Sequence, residues 1–437
     1  MLLEPGLPEP IKCGRSTNGG ASWTALQNWI GTVADGYRDV DLVVTQGYAF
    51  VAYIYANQVR VRRHSSITGF ADSVRTVFTG TATDSCYDVA ITSDVDEYPT
   101  AWWLYVTALI GSTVYAKRST TLGLTWTNYA TIGTNAIGRV DIAYAPFSTN
   151  TELFVAYHRN NDSLYVVRNI DYGDSLDWLT PQNTGVSRKN SSANAWPSVA
   201  AMADTAIIVY EYNYGPSDND VHYVISTNDG STWTQGTVFS ATTNEDYPNI
   251  TGRSGAGWAV VCVYDVGSTC NIRFRQSTRY SSPSFTNTAD IADSIARFNV
   301  GPAIEYYDLP SPRYGIVYVS FRPYEWAWFD YNNVGIVEEV ANNQTFSKTI
   351  AINCFPNPSV SPKIELEILK PSTVSLKIYD INGNIVRNLI NKNLNAGKTV
   401  VVWDGKDDNG TKVAQGIYFV KLSTESKSAM TKVIKLQ

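Results

Sequence analysis

The stretch STNDGSTW, Ser226 to Trp233, points to a repeated architecture, because the chain writes nearly the same thing at Ser16 to Trp23 (STNGGASW) and at Ser119 to Trp126 (STTLGLTW). Worn copies stand at Ser65 to Phe70, Asp171 to Trp178 and Ser277 to Phe285. Ser, Asn and Asp side chains bond local backbone groups, Gly supplies a positive φ, and Trp is expected to pack between neighbouring sheets. Each copy follows an alternating strand such as VHYVIST or IRFRQST. The turn is therefore expected to join a third strand to a fourth.

Working outward, a second pattern recurs beside the first: a short strand centred on Val or Ile and often preceded by Pro. Its copies are anchored at Val40, Val89, Val140, Val199, Ile250 and Ile304, at steps of 49 to 59 residues. An apolar strand follows each, ending near Tyr53, Tyr105, Tyr157, Tyr210, Tyr264 and Tyr318. Three or four strands repeated six times at roughly 50 residues predict a β-propeller. No 3.6-residue periodicity supports helical or leucine-rich repeats. The chain opens with a strand and turn (IKCGRSTNGGASWT) and leaves the repeats with EWAWFDYNN. If the first piece completes the last blade, six blades close by pairing the domain's two ends; if both are third strands, part of a blade is missing from the start. The six-bladed form is the expectation.

Composition agrees with an all-β protein. Charged residues are only 17%, with 28 Tyr, 12 Trp and abundant Thr, Ser, Asn and Gly, the mixture of twisted strands joined by polar turns. Lys plus Arg number 34 against 40 Asp plus Glu, a net charge of -6 without long runs of one sign. Nucleic acid and anionic membrane surfaces are not indicated as partners. No apolar run approaches the roughly 20 residues of a transmembrane helix. The opening MLLEPGLPEP lacks a signal peptide, so the protein either stays inside or has lost its export signal. Among five Cys, Cys262 and Cys270 flank a hairpin, readable as a cross-strand couple or as two buried free thiols.

The S-x-[DN]-x-G-x-x-W turn resembles the Asp-box of sialidases and related propellers, best at Ser226, Asn228, Gly230 and Trp233 and next at Ser16, Asn18, Gly20 and Trp23. Thr121 replaces the acid or amide in the copy at Ser119, and the copy ending at Phe285 lacks the glycine. The resemblance covers roughly residues 12 to 335 and implies a sialidase-like propeller. Sialidases hold a carboxylate with three arginines, use an Asp acid and a Glu-activated Tyr, and carry an early Arg-Ile-Pro that this chain lacks. Arg38, Arg139 and Arg297 precede blade starts, Asp39 or Asp88 would be the acid, and Tyr210 or Tyr212 lies near Glu211.

The texture changes after about residue 345, where Lys becomes common and FPNPSVSP (Phe355 to Pro362) forms a Pro-rich approach. The expected domains are a propeller over 1–335, a linker over 336–352 and an immunoglobulin-like β-sandwich over 353–437. That tail resembles the C-terminal sorting domain of proteins exported by the type IX secretion system, itself similar to the flagellar hook-capping immunoglobulin-like domain. The residues are Phe355-Pro-Asn-Pro358, Ile378-Tyr-Asp380 with Gly383, Ala396-Gly397, Trp403-Asp-Gly405, Asp407-Asp-Asn-Gly410, Gly416-Ile-Tyr-Phe419 and Lys432-Val-Ile-Lys-Leu436. The resemblance implies the secretion machinery as partner, an extracellular or outer-cell-surface location, and a tail commonly removed on arrival. DGKDDNG, Asp404 to Gly410, is readable as a calcium loop or, more simply, a hairpin turn; no metal is assigned.

In a propeller the first strand of each blade starts on the face where the second ends, so the functional face should carry Arg38, Asp39, Tyr87, Asp88, Arg139, Trp196 and Tyr247, with His158, Glu211 and Asp265 after the second strands. Glu211 and Asp265 occupy equivalent positions in adjacent blades beside Trp196, Tyr212, Tyr214 and Tyr247. Paired carboxylates beside aromatic rings suit glycoside hydrolysis, with Glu211 and Asp265 catalytic. The same pieces make a lectin, with Arg38, Asp39, Asp88, Arg139, His158, Trp196, Tyr212 and Tyr247 as ligand contacts. No G-x-S-x-G, H-E-x-x-H, C-x-x-C, P-loop or dinucleotide fingerprint appears, and no cofactor is expected. The leading expectation is a propeller binding extracellular glycan or another surface ligand; a sialidase-like glycoside hydrolase and a structural or adhesion module are the alternatives.

Overall fold

The computed structural model describes residues 11–13, 27–30, 38–45, 48–65, 71–94, 103–127, 130–146, 148, 153–171, 177–191, 193–215, 217–253, 257–265, 270–290, 301–307, 313–320, 326–333, 350–355, 359–368, 371–380, 384–395, 397–424 and 428–436. Every named element is a β-strand. The chain divides into two compact units, Met1–Glu338 and Glu339–Gln437.

The first unit is a six-bladed β-propeller. Blade I consists of Arg38–Thr45, Tyr48–Tyr55, Gln58–Ser65 and Ala71–Thr79; blade II of Cys86–Ser93, Leu104–Ile110, Thr113–Ser119 and Ala130–Thr134. Blade III follows as Ala136–Tyr144, Leu153–Arg159, Ser163–Asn169 and Gln182–Ser187, and blade IV as Ser198–Met202, Thr205–Gly215, Asp218–Ser226 and Thr234–Phe239. Blade V comprises Glu245–Arg253, Gly257–Asp265, Cys270–Ser277 and Asn287–Asp290, and blade VI the three strands Ala303–Tyr307, Arg313–Ser320 and Trp326–Asn333. Ile11–Cys13 and Gln27–Ile30 pair with each other as a separate two-stranded sheet. Trp326–Asn333 is a third strand, antiparallel to Arg313–Ser320; among the described residues no ladder joins it to the N-terminal hairpin.

Second strands such as Leu104–Ile110 are buried along their whole length because a blade is covered on both faces, which removes the usual alternation. The apolar layers lie between blades. Ile54 and Val61 of blade I meet Val89 and Val106 of blade II, and Tyr210 and Ile208 of blade IV meet Phe154 and Val166 of blade III.

Polar side chains on the innermost strands stitch each blade to the next. Asp39 Oδ2 accepts the Val89 N–H at 2.7 Å and Asp41 Oδ2 that of Ile91 at 2.8 Å. Asp88 holds Val140 N–H at 2.7 Å, and Asp141 holds Val199 at 2.8 Å. Ser198 Oγ then accepts from Ile250, and Asn249 Oδ1 from Ile304. These acceptors satisfy inner-strand N–H groups that no fifth strand reaches.

The STNDGSTW turn closes on itself. Ser226 Oγ accepts the Gly230 N–H at 2.8 Å, Asn228 Oδ1 accepts that of Thr232 at 3.0 Å, and Trp233 Nε1 donates to the Gly230 carbonyl at 3.1 Å. In blade II Ser119 Oγ accepts from Gly123, while Thr121 Oγ1 accepts the Thr125 N–H at 2.8 Å. A Thr hydroxyl thus replaces the amide. Of the other copies, residues 14–26, 66–70 and 172–176 lie outside the described residues.

The second unit packs a sheet of Ile350–Phe355, Lys363–Ile368 and Gly397–Val402 against one of Ile385–Leu394, Ser372–Tyr379, Gly416–Ser423 and Ser428–Lys435. Trp403, Leu376, Ile378 and Val420 fill its core. The acids of DGKDDNG are engaged locally: Asp407 Oδ1 accepts N–H bonds from Asn409 and Thr411, and Asp408 binds Asn388 through both oxygens. Cys262 stands opposite Arg273, while Cys270 stands opposite Asp265. Both thiols are buried and free, because the register separates them along the hairpin and a cross-strand bridge needs facing residues.

Candidate functional site

Residues preceding the inner-strand anchors are lifted out of their ladders by register breaks. Pairing slips at Asp39 in blade I, at Tyr87 in blade II, at Gly138 and Arg139 in blade III, and at Tyr247 and Pro248 in blade V. Such bulges re-aim side chains at sheet ends. Asp39 (φ 41°) and Tyr247 (φ 57°) adopt left-handed backbone, which is costly for a bulky residue such as Tyr and is concentrated at functional sites. Tyr87 is 57% exposed.

Three of these residues assemble with Trp196. The Arg139 guanidinium lies 3.9 Å from the Trp196 ring centroid, and the Trp196 and Tyr247 rings are 4.5 Å apart. The Arg139 N–H donates to the Ala195 carbonyl at 2.8 Å. Gly138 (φ +73°) permits that approach, since an added Cβ would lie 2.2 Å from the same oxygen. Arg139 also reaches Asp88 at 3.6 Å and Asp39 at 3.8 Å, and its side chain remains 46% exposed. Burial holds Asp88 well above the usual carboxylate range, the Asp39 charge adds to this, and Arg139 opposes it. Arg139 thus pairs with two acidic side chains, and its half-exposed guanidinium lies beside the Trp196 ring.

Glu211 lies beneath this cluster. It is 0% exposed, and its oxygens accept the Asn194 N–H at 2.5 Å, the Asn194 Nδ2 at 3.1 Å and the Tyr247 N–H at 2.8 Å. Burial pushes its carboxyl up to about 8, with the Asp246 charge adding, against these donors. Asp265 is half-buried. Asp246 stands electrostatically between the two, raising Glu211 and itself raised by Asp265 after burial. Asp246 directly precedes Tyr247, a position that sequence reasoning passed over. Nearby, Glu245 is buried 3.6 Å from Arg273 and pushed up to about 8, chiefly by burial.

Tyr212 belongs to a second cluster. It stacks on His222 at 4.7 Å and 4° and meets Tyr214 at 4.8 Å, with Lys189 Nζ 5.7 and 5.4 Å from the two rings. His158 lies in the interior: its Nδ1 is 3.2 Å from the Asp162 carbonyl, its ring meets the edge of Tyr210, and burial lowers it to about 4. The structure therefore brings Asp39, Asp88, Arg139, Trp196 and Tyr247 together, with Glu211 under them. Tyr212 is placed beside His222, and His158 between blades. The Arg38 side chain and Arg297 lie outside the described residues. Lys189 and Asn194 carried no sequence signal; both sit in the loop before the blade IV anchor.

Residues 359–428 match the family model of the FlgD Ig-like domain. No curated protein matches the chain by sequence. Among solved structures, the chain is similar to an α-L-arabinofuranosidase from Fusarium graminearum at 14% identity and TM-score 0.44, covering 69% of this chain and 96% of that one. It is similar to the fucose-specific lectin from Aleuria aurantia at 11% identity and TM-score 0.43, over 69% and 95%. A sialidase from Streptococcus pneumoniae aligns at 10% identity and TM-score 0.39, over 74% and 62%. At such identities the likeness concerns the path of the chain alone.

Proposed function

We propose that the propeller binds an extracellular glycan on the face where the inner strands begin. The observation that carries this reading is the Arg139–Trp196–Tyr247 assembly, in which a guanidinium 3.9 Å from one ring stands beside a second ring 4.5 Å away. Aromatic rings accept the apolar C–H face of a sugar, and the half-exposed Arg139 guanidinium and the Asp39 carboxyl supply a donor and an acceptor for its hydroxyls. Arg139 stands 3.8 Å from the Asp39 carboxyl, whose charge would repel an anionic sugar, so the cluster suits a neutral sugar better.

Hydrolysis by Glu211 is less well supported. A general acid or nucleophile must touch the glycosidic oxygen or the anomeric carbon, whereas Glu211 has no exposed surface and both oxygens hold backbone N–H groups. The C-terminal unit is proposed as the export address, by its resemblance to type IX sorting domains, which would put the propeller outside the cell or on its outer surface.

A glycan array probed with the purified chain tests the reading, run beside Trp196→Ala and a reporter-glycoside screen. Binding lost in the variant supports it. An array without binding, or turnover abolished by Glu211→Gln with Asp265→Asn, would replace it with the adhesion or the hydrolase reading respectively.

A further inference from the structure

The loop before the blade IV anchor carries an aromatic cluster at each of its ends. Trp196 packs against Tyr247, its ring tilted at 50°, and under Arg139 at one end. At the other, Lys189 reaches over Tyr212 and Tyr214. Tyr214 is 52% exposed, an unusual state for an aromatic residue already paired with two rings at 4.8 and 5.9 Å. Lys189 adopts φ +73°, strain of the kind held where the surrounding structure over-determines a residue.

The segment between the clusters is fastened at four points. Arg188 pairs with Asp162 at 2.7 Å and bonds the Ala193 carbonyl. Asn190 Nδ2 donates to Asn213 Oδ1 at 3.0 Å, Asn194 is held by Glu211, and Ala195 accepts from the Arg139 N–H. Asn213 sits between Tyr212 and Tyr214 in the chain, and Glu211 immediately precedes Tyr212. The bonds that position Lys189 and Trp196 therefore anchor on the strand that carries the two tyrosines. Both clusters lie on the face where inner strands begin and second strands end. Trp196 lies seven positions after Lys189, which limits their Cα separation to about 25 Å at roughly 3.3–3.6 Å per residue.

From this geometry we infer that Tyr212, Tyr214 and Lys189 form a second carbohydrate subsite, and that the ligand is a glycan chain of several residues spanning both clusters. The inference rests on the glycan-binding reading of the Arg139–Trp196–Tyr247 cluster. One sugar residue stacks at Trp196, and a residue further along the chain lies on the open side of Tyr214, with the Lys189 ammonium donating to its hydroxyls. Because the loop is fastened before binding, the second contact adds affinity without an ordering cost. Engagement of both stations by one molecule follows the logic of linked sites, in which the second contact is intramolecular.

The test is calorimetric titration of the full chain with gluco-, galacto-, manno-, xylo- and arabino-oligosaccharide ladders of one to six residues. The wild-type protein is expected to bind one ladder with affinity rising roughly tenfold or more once the chain is long enough to reach the second ring. Tyr214→Ala should erase that rise and leave affinity for the shortest bound sugar unchanged; Trp196→Ala should remove binding at every length. Lys189→Gly, which relieves the left-handed backbone, should lower the rise without lowering the melting temperature. Affinity independent of length, or a rise that survives Tyr214→Ala, would overturn the second subsite while leaving the first intact. No binding to any ladder, with wild-type protein folded, would overturn both.

Discussion

The Arg139 guanidinium lies 3.9 Å from the Trp196 ring centroid while its backbone N–H donates to Ala195, the residue before that tryptophan. Blades III and IV are thus joined at the site by one residue, through backbone and side chain together. Arg139→Ala is expected to weaken glycan binding about tenfold or more, and Arg139→Lys to restore little of it, because an ammonium lacks the planar face that stacks on a ring. Titration of both variants with the array ligand checks this. Equal affinity for the Lys variant and the wild type would show that charge alone matters.

Gly138→Ala is expected to disrupt the same joint from the backbone. Its φ of +73° and the 2.2 Å approach to the Ala195 carbonyl leave no room for a Cβ. A cost of roughly 1–3 kcal/mol follows from the strained backbone, with binding reduced alongside. Urea unfolding measures the first and titration the second; an unchanged midpoint would contradict the geometry.

Stability should fall from mildly acidic to alkaline pH. Burial raises Glu211 and Glu245 to about 8, Asp141 to about 7 and Asp41 to about 6. A raised carboxyl pKa means the folded state binds more protons than the unfolded one, so stability is lost as pH rises from near 4 towards these values. His158 and His222, lowered to about 4, act oppositely: they favour folding above 6.5 and withdraw that contribution as pH falls towards 4. Because the raised carboxyls outnumber the two imidazoles, the melting temperature is expected to be highest at mildly acidic pH, near 4 to 5, and to decline towards pH 9. Glu211→Gln should flatten the decline, and a profile identical to wild type would show that Glu211 does not titrate in this window.

Asp141→Ala is expected to cost roughly 1–3 kcal/mol, since it leaves the Val199 N–H at the blade III–IV seam without its acceptor. Asp141→Asn keeps a carbonyl oxygen there and should be milder. Chemical denaturation of the two variants decides it, and equal losses would assign the effect to charge.

Gly230→Ala separates stability from binding. Its φ is +74°, and an added Cβ would stand 2.6 Å from Arg168 Cδ and 2.9 Å from Phe154 Cε1. Destabilisation of roughly 1–3 kcal/mol is expected, yet glycan affinity of the folded protein should be unchanged, because the third-to-fourth strand turn is on the face opposite the inner-strand starts. Loss of affinity at a temperature where the variant is folded would contradict that placement.

The propeller was legible because its repeat is local. Each Val or Ile anchor and each Ser-Asn-Gly-Trp turn is written within about 50 residues, and the period exposes them; the second strand of blade II departs from it, since Tyr105, expected near its end, stands at the start of Leu104–Ile110. The residues at the inner-strand starts were legible for the same reason: positions before Val40, Val140 and Ile250 carry Asp39, Arg139 and, two residues further back, Tyr247. Thr121 shows how far the pattern extends, since its hydroxyl performs the bond that Asn228 makes in blade IV.

Roles within that face were not legible. Asp39 and Asp88 look like ligand contacts in the sequence, yet each also holds the next blade's inner strand. Glu211 and Asp265 are equivalent by position, but Glu211 is enclosed while Asp265 is half-buried. Cys262 and Cys270 flank one hairpin and do not face each other. The repeat and the strand order within it could be read along the chain, because both follow from periodicity and turn composition among neighbouring residues. Which polar groups are enclosed and which stay exposed emerged with the assembled blades, because burial and hydrogen-bond partners are set by the neighbouring blade, roughly 50 residues away in the sequence.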